Sequence, residues 1–250
     1  MSLIKLNANA KLNLTLDIVG KRCDGYHNIV TEMQEIDLAD TVTVKLAKSG
    51  ITVTCDNPAI PTDSRNIAYR AAELFGVNVQ IHIEKRIPVM AGLGGSSTDG
   101  AAVLKALNIL CSNRFTQSQL CEMGAKLGAD VPFCIVGGRA KCEGIGDIIT
   151  PLPDLPQQFY LIVQPDFYCD TKKAYSLYNP NINRTKPNIF MDLYNNEQIN
   201  TICDEIQGTL TGSGSAVFAV FDDKESAKSV LNKLNYPFKA IATNIRRGTI

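Results

Sequence analysis

Glycine and hydroxyl residues concentrate in the stretch Pro88–Thr98, which reads Pro-Val-Met-Ala-Gly-Leu-Gly-Gly-Ser-Ser-Thr. The alternating run Val79–Glu84 before it is typical of a half-buried strand, and Thr98–Leu110 after it has apolar residues at helical spacing. Glycines let backbone N–H groups approach an anion, and a helix dipole adds positive potential at the same end. The stretch therefore predicts a phosphate-binding loop at a helix N-terminus.

Two common phosphate loops do not match this stretch. The P-loop pattern ends in Gly-Lys-Ser/Thr, and no lysine lies between Lys85 and Lys105. The dinucleotide pattern G-x-G-x-x-G needs a glycine where the chain has Ser97. The plain alternative is a turn that only starts a helix, with Ser97 or Thr98 as its cap.

A lysine and an asparagine side chain lie on the same face of a predicted strand near the N-terminus. In Ala8–Asn13, strand alternation places Lys11 and Asn13 together and the leucines on the other face. The alternative is a solvent-exposed strand face, where most lysines are found.

Two further segments carry polar groups at turns. Asp130 follows a helix predicted to stop at Gly128 and precedes Val-Pro-Phe, so its charge enters apolar surroundings and needs a partner or a task. The alternative is a turn residue bonded to local backbone before a strand. Leu210–Phe218 holds a second Gly/Ser turn, which either supplies more N–H groups or lets two segments pack closely.

Taken in order, these four segments resemble the signatures of the GHMP kinase superfamily. Within it, Leu16–Asn28, which contains Asp-Gly-Tyr-His, and Leu127–Phe133 resemble the kinases that phosphorylate the tertiary 2-hydroxyl of 4-diphosphocytidyl-2-C-methyl-D-erythritol on the non-mevalonate route to isoprenoids. The resemblance implies an α+β fold of two GHMP kinase domains. The N-terminal one is expected to be like ribosomal protein S5 domain 2, and the C-terminal one to be a ferredoxin-like α/β sandwich.

The resemblance also implies the catalytic groups and the cofactors, ATP and Mg²⁺. Asp130 corresponds to the base that accepts the hydroxyl proton, and Lys11 to the amine that keeps this carboxylate ionised and neutralises phosphoryl charge. Asn13 corresponds to a residue that positions the substrate. Mg²⁺ is expected on ATP phosphate oxygens and water, with a loop hydroxyl as one candidate ligand and no other protein ligand named.

Substrate and nucleotide contacts follow from the same resemblance. Tyr26 and His27 correspond to the groups that bind cytosine, and Tyr175 to an aromatic residue on the other face of the ring. The second glycine turn is expected to close over the substrate through Gly212, Ser213 and Gly214. The nucleotide residues, the first two on the adenine side, are Asn66, Lys85, Pro88, Gly92, Leu93, Gly94, Gly95, Ser96, Ser97 and Thr98. Ser96 and Thr98 depart from the usual loop pattern, which leaves nucleotide preference open.

Composition limits the class of protein. The 250 residues are 45% hydrophobic, and 25 basic residues balance 25 acidic ones, so no net field favours nucleic acid or a membrane. Eight cysteines without C-x-x-C and only two histidines favour reduced, mostly buried thiols over a metal site. No membrane-length apolar run or secretory segment is evident, which predicts a cytoplasmic protein. Oligomeric state cannot be read from the sequence.

Periodicity predicts the order of the secondary structure. Residues 1–150 form one domain and 151–250 a second, with the proline-rich Pro151–Pro156 between them. Strands are predicted at 4–6, 12–19, 41–46, 51–55, 79–84, 159–164, 215–221 and 238–243. Helices are predicted at 66–75, 98–110, 116–127 (capped by Thr116 or Ser118), 171–178, 197–206 and 224–234. Residues 178–193 read as a mobile loop and a candidate lid.

Three other functions compete with this interpretation. Another kinase of the superfamily, for homoserine or mevalonate, would leave Tyr26 and His27 without a base to bind. A non-catalytic nucleotide or sugar-phosphate sensor would be expected to lack Lys11 or Asp130. In a purely structural module, all four segments would have to match the kinase signatures by coincidence.

Overall fold

The computed structural model describes residues 2–194 and 196–247, and the chain divides into two compact units. The first unit holds the residues up to Ala10, Leu38–Ile87 and Gly94–Gly137. The second holds Lys11–Asp37, Pro88–Leu93 and the chain from Gly138 onward. These units are not sequential halves of the chain, and the division into domains 1–150 and 151–250 stays a prediction.

Strands and helices follow one another along the chain in runs of one to three elements. Strands β1 to β10 are, in order, Leu3–Lys21, His27–Leu46, Ile51–Cys55, Val79–Glu84, Arg139–Glu143, Ile148–Pro151, Phe159–Gln164, Thr209–Leu210, Val217–Phe221 and Phe238–Thr243. Helices α1 to α8 are, in order, Ile67–Phe75, Gly95–Leu110, Gln117–Ala125, Val131–Val136, Thr171–Ser176, Ile189–Leu193, Glu197–Ile206 and Lys224–Leu231.

In the first unit, β4 lies between β2 and β3. It pairs antiparallel with Thr41–Leu46 of β2 and parallel with β3. Val42 and Val44 of β2 and Ile81 of β4 are buried on one face, which is the environment that favours β-branched residues in strands. Helix α2 packs against α1 and α4, and α3 packs against α4. This sheet and its helices hold the end of β4 and the start of α2.

In the second unit, four antiparallel strands lie in the order β10, β7, β9, β8. Helix α7 packs on β9, and α8 packs on β7 and β10. Phe190 of α6 is fully buried in the core cluster of this unit, together with Leu161 and Val163 of β7. Separately, β5 pairs with Thr31–Gln34 of β2 and with β6. The predicted strands at 159–164 and 238–243 and the predicted helix at 197–206 are confirmed as β7, β10 and α7.

The predicted strand at 41–46 is only the end of β2, which begins at His27. Residues 33–36 of this strand are buried on both faces, so alternation does not mark them. The buried polar groups are bonded within the second unit: Gln34 Nε2 donates to the Ile245 carbonyl at 3.0 Å, and Glu35 Oε2 accepts from the Gly138 N–H at 2.7 Å. Tertiary hydrogen bonds therefore stabilise a strand that the local pattern does not predict.

Three other predictions about local structure need correction. The segment after Asp130 is the short helix α4 and not a strand, with proline in its first turn, where proline is tolerated. Helix α3 ends at Ala125, before Gly128, although its predicted cap Thr116 is confirmed by a capping box with Gln119. The loop predicted over 178–193 contains helix α6, because Asn188 caps that helix by accepting from the Phe190 N–H at 3.0 Å.

Candidate active site

Helix α2 begins inside the glycine loop, at Gly95. Gly94 is its N-cap in the left-handed region, with φ of 75°, and no side chain among the described residues caps this end. The alternative that Ser97 or Thr98 is the cap is therefore wrong. Thr98 Oγ1 instead donates to the Asn9 carbonyl at 2.7 Å. Because the first-turn N–H groups lack a side-chain acceptor, this helix end can bind an anion.

Lys85 lies buried between two carboxylates of the first unit. Its Nζ donates to Asp40 Oδ2 and, at 2.8 Å, to Asp99 Oδ2. Asp40 Oδ1 also accepts from two consecutive backbone N–H groups at 2.6 and 2.8 Å. A Cβ added at Gly95 would lie 3.4 Å from Lys85 Nζ. The cluster thus joins β2, the end of β4 and the start of α2.

The charges in this cluster shift one another's titration. Burial raises the pKa of Asp99 to about 7, with Lys85 opposing the shift and Asp40 adding to it. Burial by itself would lower the pKa of Lys85, but Asp99 and Asp40 outweigh it and raise that pKa. Within the described residues, Asp99 Oδ1 has no hydrogen-bond partner. The cluster therefore holds one more carboxylate than its single lysine can neutralise.

Two predicted site residues of the first unit stand at helix starts. Asn66 caps α1: its Oδ1 accepts from the Ala68 N–H at 2.9 Å, and its Nδ2 donates to the Pro61 carbonyl at 2.7 Å. Asp130 occupies the N-cap position of α4, is partly buried, and does not cap that helix with its side chain. The adenine-side role of Asn66 and the proton-accepting role of Asp130 stay predictions.

In the second unit, Lys11 and Asn13 lie on the same face of β1 and contact each other. Lys11 Nζ donates to Asn13 Oδ1 at 2.5 Å and to the Gly92 carbonyl at 3.0 Å. Asn13 Nδ2 donates to Thr31 Oγ1 at 2.8 Å. Lys11 is only 4% exposed, so the alternative of a solvated strand face is wrong. A buried ammonium group thus lies directly against the glycine segment.

The segment around Gly92 packs on the second glycine turn, Thr211–Ser215. Gly92 has φ of 77°, and a Cβ there would overlap the Thr211 carbonyl oxygen. The Ala216 N–H donates to the Ala91 carbonyl at 3.1 Å. Close packing is therefore one function of the second turn, as one of the two alternatives predicted, and its supply of N–H groups to a ligand stays a prediction.

The residues predicted to bind the base lie at the start of β2 and on α5. The rings of His27 and Tyr175 are 5.5 Å apart and tilted by 30°, and Tyr178 meets His27 edge-on at 5.4 Å. Tyr26 is 60% exposed. Burial lowers the pKa of His27, and Lys21 lowers it further, so the imidazole is neutral near pH 7. The structure brings His27 and Tyr175 together, while their contact with a base stays a prediction.

The remaining predicted site residues belong to the first glycine segment and to the second glycine turn. Pro88 is partly buried and opens the first one, and the Leu93 carbonyl accepts from the Lys11 N–H at 3.1 Å. Ser96 is exposed and Ser97 partly buried in the first turn of α2. In the second turn, Ser213 Oγ lies 3.0 Å from Thr171 Oγ1, between Gly212 and Gly214.

Several residues that hold these loops could not be predicted from the sequence. Asn188 is fully buried, and its Nδ2 donates to the carbonyls of Leu210 and Gly212, each at 2.8 Å. The Tyr194 hydroxyl donates to the Ser213 carbonyl at 2.8 Å. Asn before Ile-Phe could have been read as a helix cap. No local signal connects either residue, or Asp40, to a loop far away in the chain.

Across residues 2–194 and 196–247, no group of three or more His, Cys, Asp or Glu side chains is placed to hold a metal ion. Within that same part of the chain, no helix has both the length and the apolar character needed to span a bilayer.

Comparisons with known proteins agree with the order of these segments. Residues 66–138 match the family model described as GHMP kinases N terminal domain, and residues 194–240 match the one described as GHMP kinases C terminal. Two curated relatives, both named 4-diphosphocytidyl-2-C-methyl-D-erythritol kinase, come from Clostridium botulinum (strain Alaska E43 / Type E3) and Caldicellulosiruptor bescii. The first is 40% identical over 92% of this chain and 95% of its own length, and the second is 41% identical over 95% and 96%.

A crystal structure of 4-(cytidine 5'-diphospho)-2C-methyl-D-erythritol kinase superposes on the chain with a TM-score of 0.81. It covers 96% of this chain and 99% of its own, at 28% identity. The fold and the two glycine segments are those of a GHMP kinase. Since the curated relatives match over nearly their whole length, the chain belongs to the family of 4-diphosphocytidyl-2-C-methyl-D-erythritol kinases.

Proposed function

We propose that this protein transfers the γ-phosphoryl group of ATP to the 2-hydroxyl of 4-diphosphocytidyl-2-C-methyl-D-erythritol, a step of the non-mevalonate route to isoprenoid precursors. The observation that carries the proposal is the identity of about two residues in five with kinases of that name over nearly the full chain. The buried Lys11 against the Gly92 carbonyl supports it, because phosphoryl transfer requires positive charge at a phosphate-binding segment.

Phosphoryl transfer depends mainly on positioning and charge stabilisation. In this proposal, the uncapped start of α2 binds ATP phosphates through backbone N–H groups, and Lys11 neutralises charge on the transferred group. Asp130 accepts the proton of the attacking hydroxyl, and Asn13 helps to orient the substrate.

Base recognition would give a function to the aromatic residues beside His27 in this chain. A neutral imidazole offers one N–H donor and one acceptor nitrogen, which suits the mixed edge of cytosine. We assign that edge to His27, and the flat faces of the base to Tyr26 and Tyr175. A homoserine or mevalonate kinase has no base to bind, so this cluster favours the cytidyl substrate over the alternatives in the superfamily.

The site also fits Mg²⁺ delivered with ATP. Ser96, which is exposed, and Ser97, which is partly buried, stand in the first turn of α2, and either hydroxyl would suit an oxygen-preferring cation as a ligand. When bound, the ion would neutralise charge developing on the phosphoryl oxygens.

The direct test is phosphorus NMR of the purified protein with MgATP and the cytidyl substrate. It should show ADP and a new phosphomonoester on the tertiary carbon. Phosphorylation at another hydroxyl, or turnover of mevalonate or homoserine alone, would contradict the proposed substrate.

Asp130→Asn tests the assigned base. A general base contributes roughly 10²- to 10⁴-fold to a rate, so kcat should fall by about that factor, while calorimetry shows ATP affinity within about threefold of wild type. The control is Asp204→Asn, at an exposed position on α7. A kcat near wild type for Asp130→Asn would rule out its role as the base.

A further inference from the structure

A line of aromatic rings in the second unit runs from His27 to the second glycine turn. His27 meets Tyr175, Tyr175 meets Phe190 edge-on with centroids 5.0 Å apart, and Phe190 stacks with Tyr194 at 5.8 Å and 25°. The line ends in a hydrogen bond from the Tyr194 hydroxyl to the Ser213 carbonyl at 2.8 Å. Each ring thus fixes the orientation of the next, because tilted and stacked pairs have preferred geometries.

The Tyr194 hydroxyl acts as a hydrogen-bond donor to the Ser213 carbonyl. Burial raises the pKa of Tyr194 far above its usual value, and Cys169 raises it further. The phenol therefore stays protonated throughout the working pH range. Its ring is held by Phe190, which is fully buried. The direction of the O–H group is thereby set by the core of the unit.

The accepting loop turns between two glycines at this point. Ser213 is 7% exposed, and the residues on either side, Gly212 and Gly214, have positive φ of 55° and 85°. Asn188 donates to the carbonyl of Gly212, and the Ser213 carbonyl accepts from the Tyr194 hydroxyl. The N–H of the same peptide, that of Gly214, donates to the Thr211 carbonyl at 3.0 Å, so Tyr194 and Thr211 together hold this peptide in one orientation between two flexible glycines.

We propose that Tyr194 is a positioning residue that orients the Gly212–Gly214 turn toward the substrate and anchors it to the rings that bind the base. The inference rests on the proposed function, because it assumes that His27 and Tyr175 bind the cytosine of the substrate. Tyr194 therefore affects the reaction of the cytidyl substrate and not the binding of ATP. Tyr194 acts through the Ser213 backbone and need not touch the reacting atoms.

Tyr194→Phe removes only the hydroxyl and keeps the ring against Phe190. Loss of one such hydrogen bond should lower kcat with the cytidyl substrate by about three- to tenfold. The KM for ATP and the affinity for CMP, which carries the base without the methylerythritol end, should stay within about twofold of wild type, since those contacts do not depend on the turn.

The matched control is Tyr236→Phe, which removes a hydroxyl that donates to Glu205 at 2.6 Å on the exposed surface of the same unit. It should leave kcat and both KM values unchanged. If wild type turns over the substrate and Tyr194→Phe equals it in kcat, the positioning role is overturned. It is also overturned if Tyr194→Phe weakens ATP and CMP as much as it slows turnover, because that pattern indicates general destabilisation. Absence of turnover by wild type would instead contradict the proposed function.

Discussion

At the scale of single residues, Asp40, Lys85 and Asp99 form a buried group of charged side chains in the first unit. Burying charge is costly unless partners compensate for lost hydration. Asp40 has such partners in Lys85 and two backbone N–H groups, whereas Asp99 has one satisfied oxygen and one without a partner. Because the Asp99 carboxylate lacks a full set of partners, its protonation in the folded state is linked to the stability of the fold.

Asp99→Asn should flatten the pH dependence of stability. The pKa of Asp99 is about 7 in the folded chain and near its usual 3.8 when unfolded, so between these values the folded state holds the proton more often. Stability therefore falls as pH rises from about 4 to 7 through this group, and levels off above about pH 7. The measurement is the free energy of unfolding in urea at pH 5.5 and pH 8.

An exposed aspartate provides the control for this comparison. Asp222→Asn should keep the wild-type difference between pH 5.5 and pH 8, because its side chain is exposed. If Asp99→Asn retains the full wild-type difference as well, the linkage belongs to another group.

At the scale of elements, the contact between the two glycine segments depends on the absence of a side chain. Gly92 and Gly76 have nearly the same backbone, with φ of 77° and 80°, yet a Cβ at Gly76 would meet nothing within 4 Å while one at Gly92 would overlap Thr211. A comparison of substitutions at the two glycines therefore distinguishes the stability cost of backbone strain from the cost of disturbing close packing.

Gly92→Ala should cost more stability than Gly76→Ala. The left-handed conformation costs an alanine about 1–2 kcal/mol, which is the whole expected effect at Gly76. At Gly92 the second loop must also move, so we expect at least about 3 kcal/mol by urea unfolding, together with loss of kinase activity. Equal costs for the two variants would show that the loops do not depend on this close approach.

Sequence patterns predicted elements with one buried face and failed where tertiary contacts decide. The bounds of β3, β4, β7, β10 and α7 agree with the prediction because their apolar periodicity is clear. The first half of β2 carries buried Gln34 and Glu35, whose partners are remote in the chain, and so escaped detection. Helix α6 is only five residues long and depends on the Asn188 cap. The polar residues around this cap are typical of a loop, so the helix was not predicted.

The candidate site shows the same division. The glycine segments and the Lys11–Asn13 pair could be predicted because each is contained in a short run of chain. The residues that hold them, such as Asn188 and Tyr194, lie 24 and 19 positions from the carbonyls they bind. Only the folded chain reveals such partners, so the supporting residues of the site remained unpredicted.

At the scale of the whole molecule, a formal net charge of zero means that anionic substrates must be recognised locally. ATP and the cytidyl diphosphate are both polyanions. The groups proposed to bind them, the start of α2 and the buried Lys11, act at short range. A protein that captured its substrates by a long-range field would instead show a strong salt dependence.

We therefore expect kcat/KM for both substrates to fall by less than about threefold between 50 and 300 mM KCl at constant MgATP, because short-range contacts in a partly buried site are weakly screened. The double reversal Glu122→Lys with Asp222→Lys, at two exposed positions, adds four positive charges to the net charge and should change kcat/KM by less than about twofold. A tenfold loss in salt, or a large gain in the double variant, would mean that long-range attraction brings the substrates to the protein. The backbone amides and Lys11 would then no longer suffice to explain recognition.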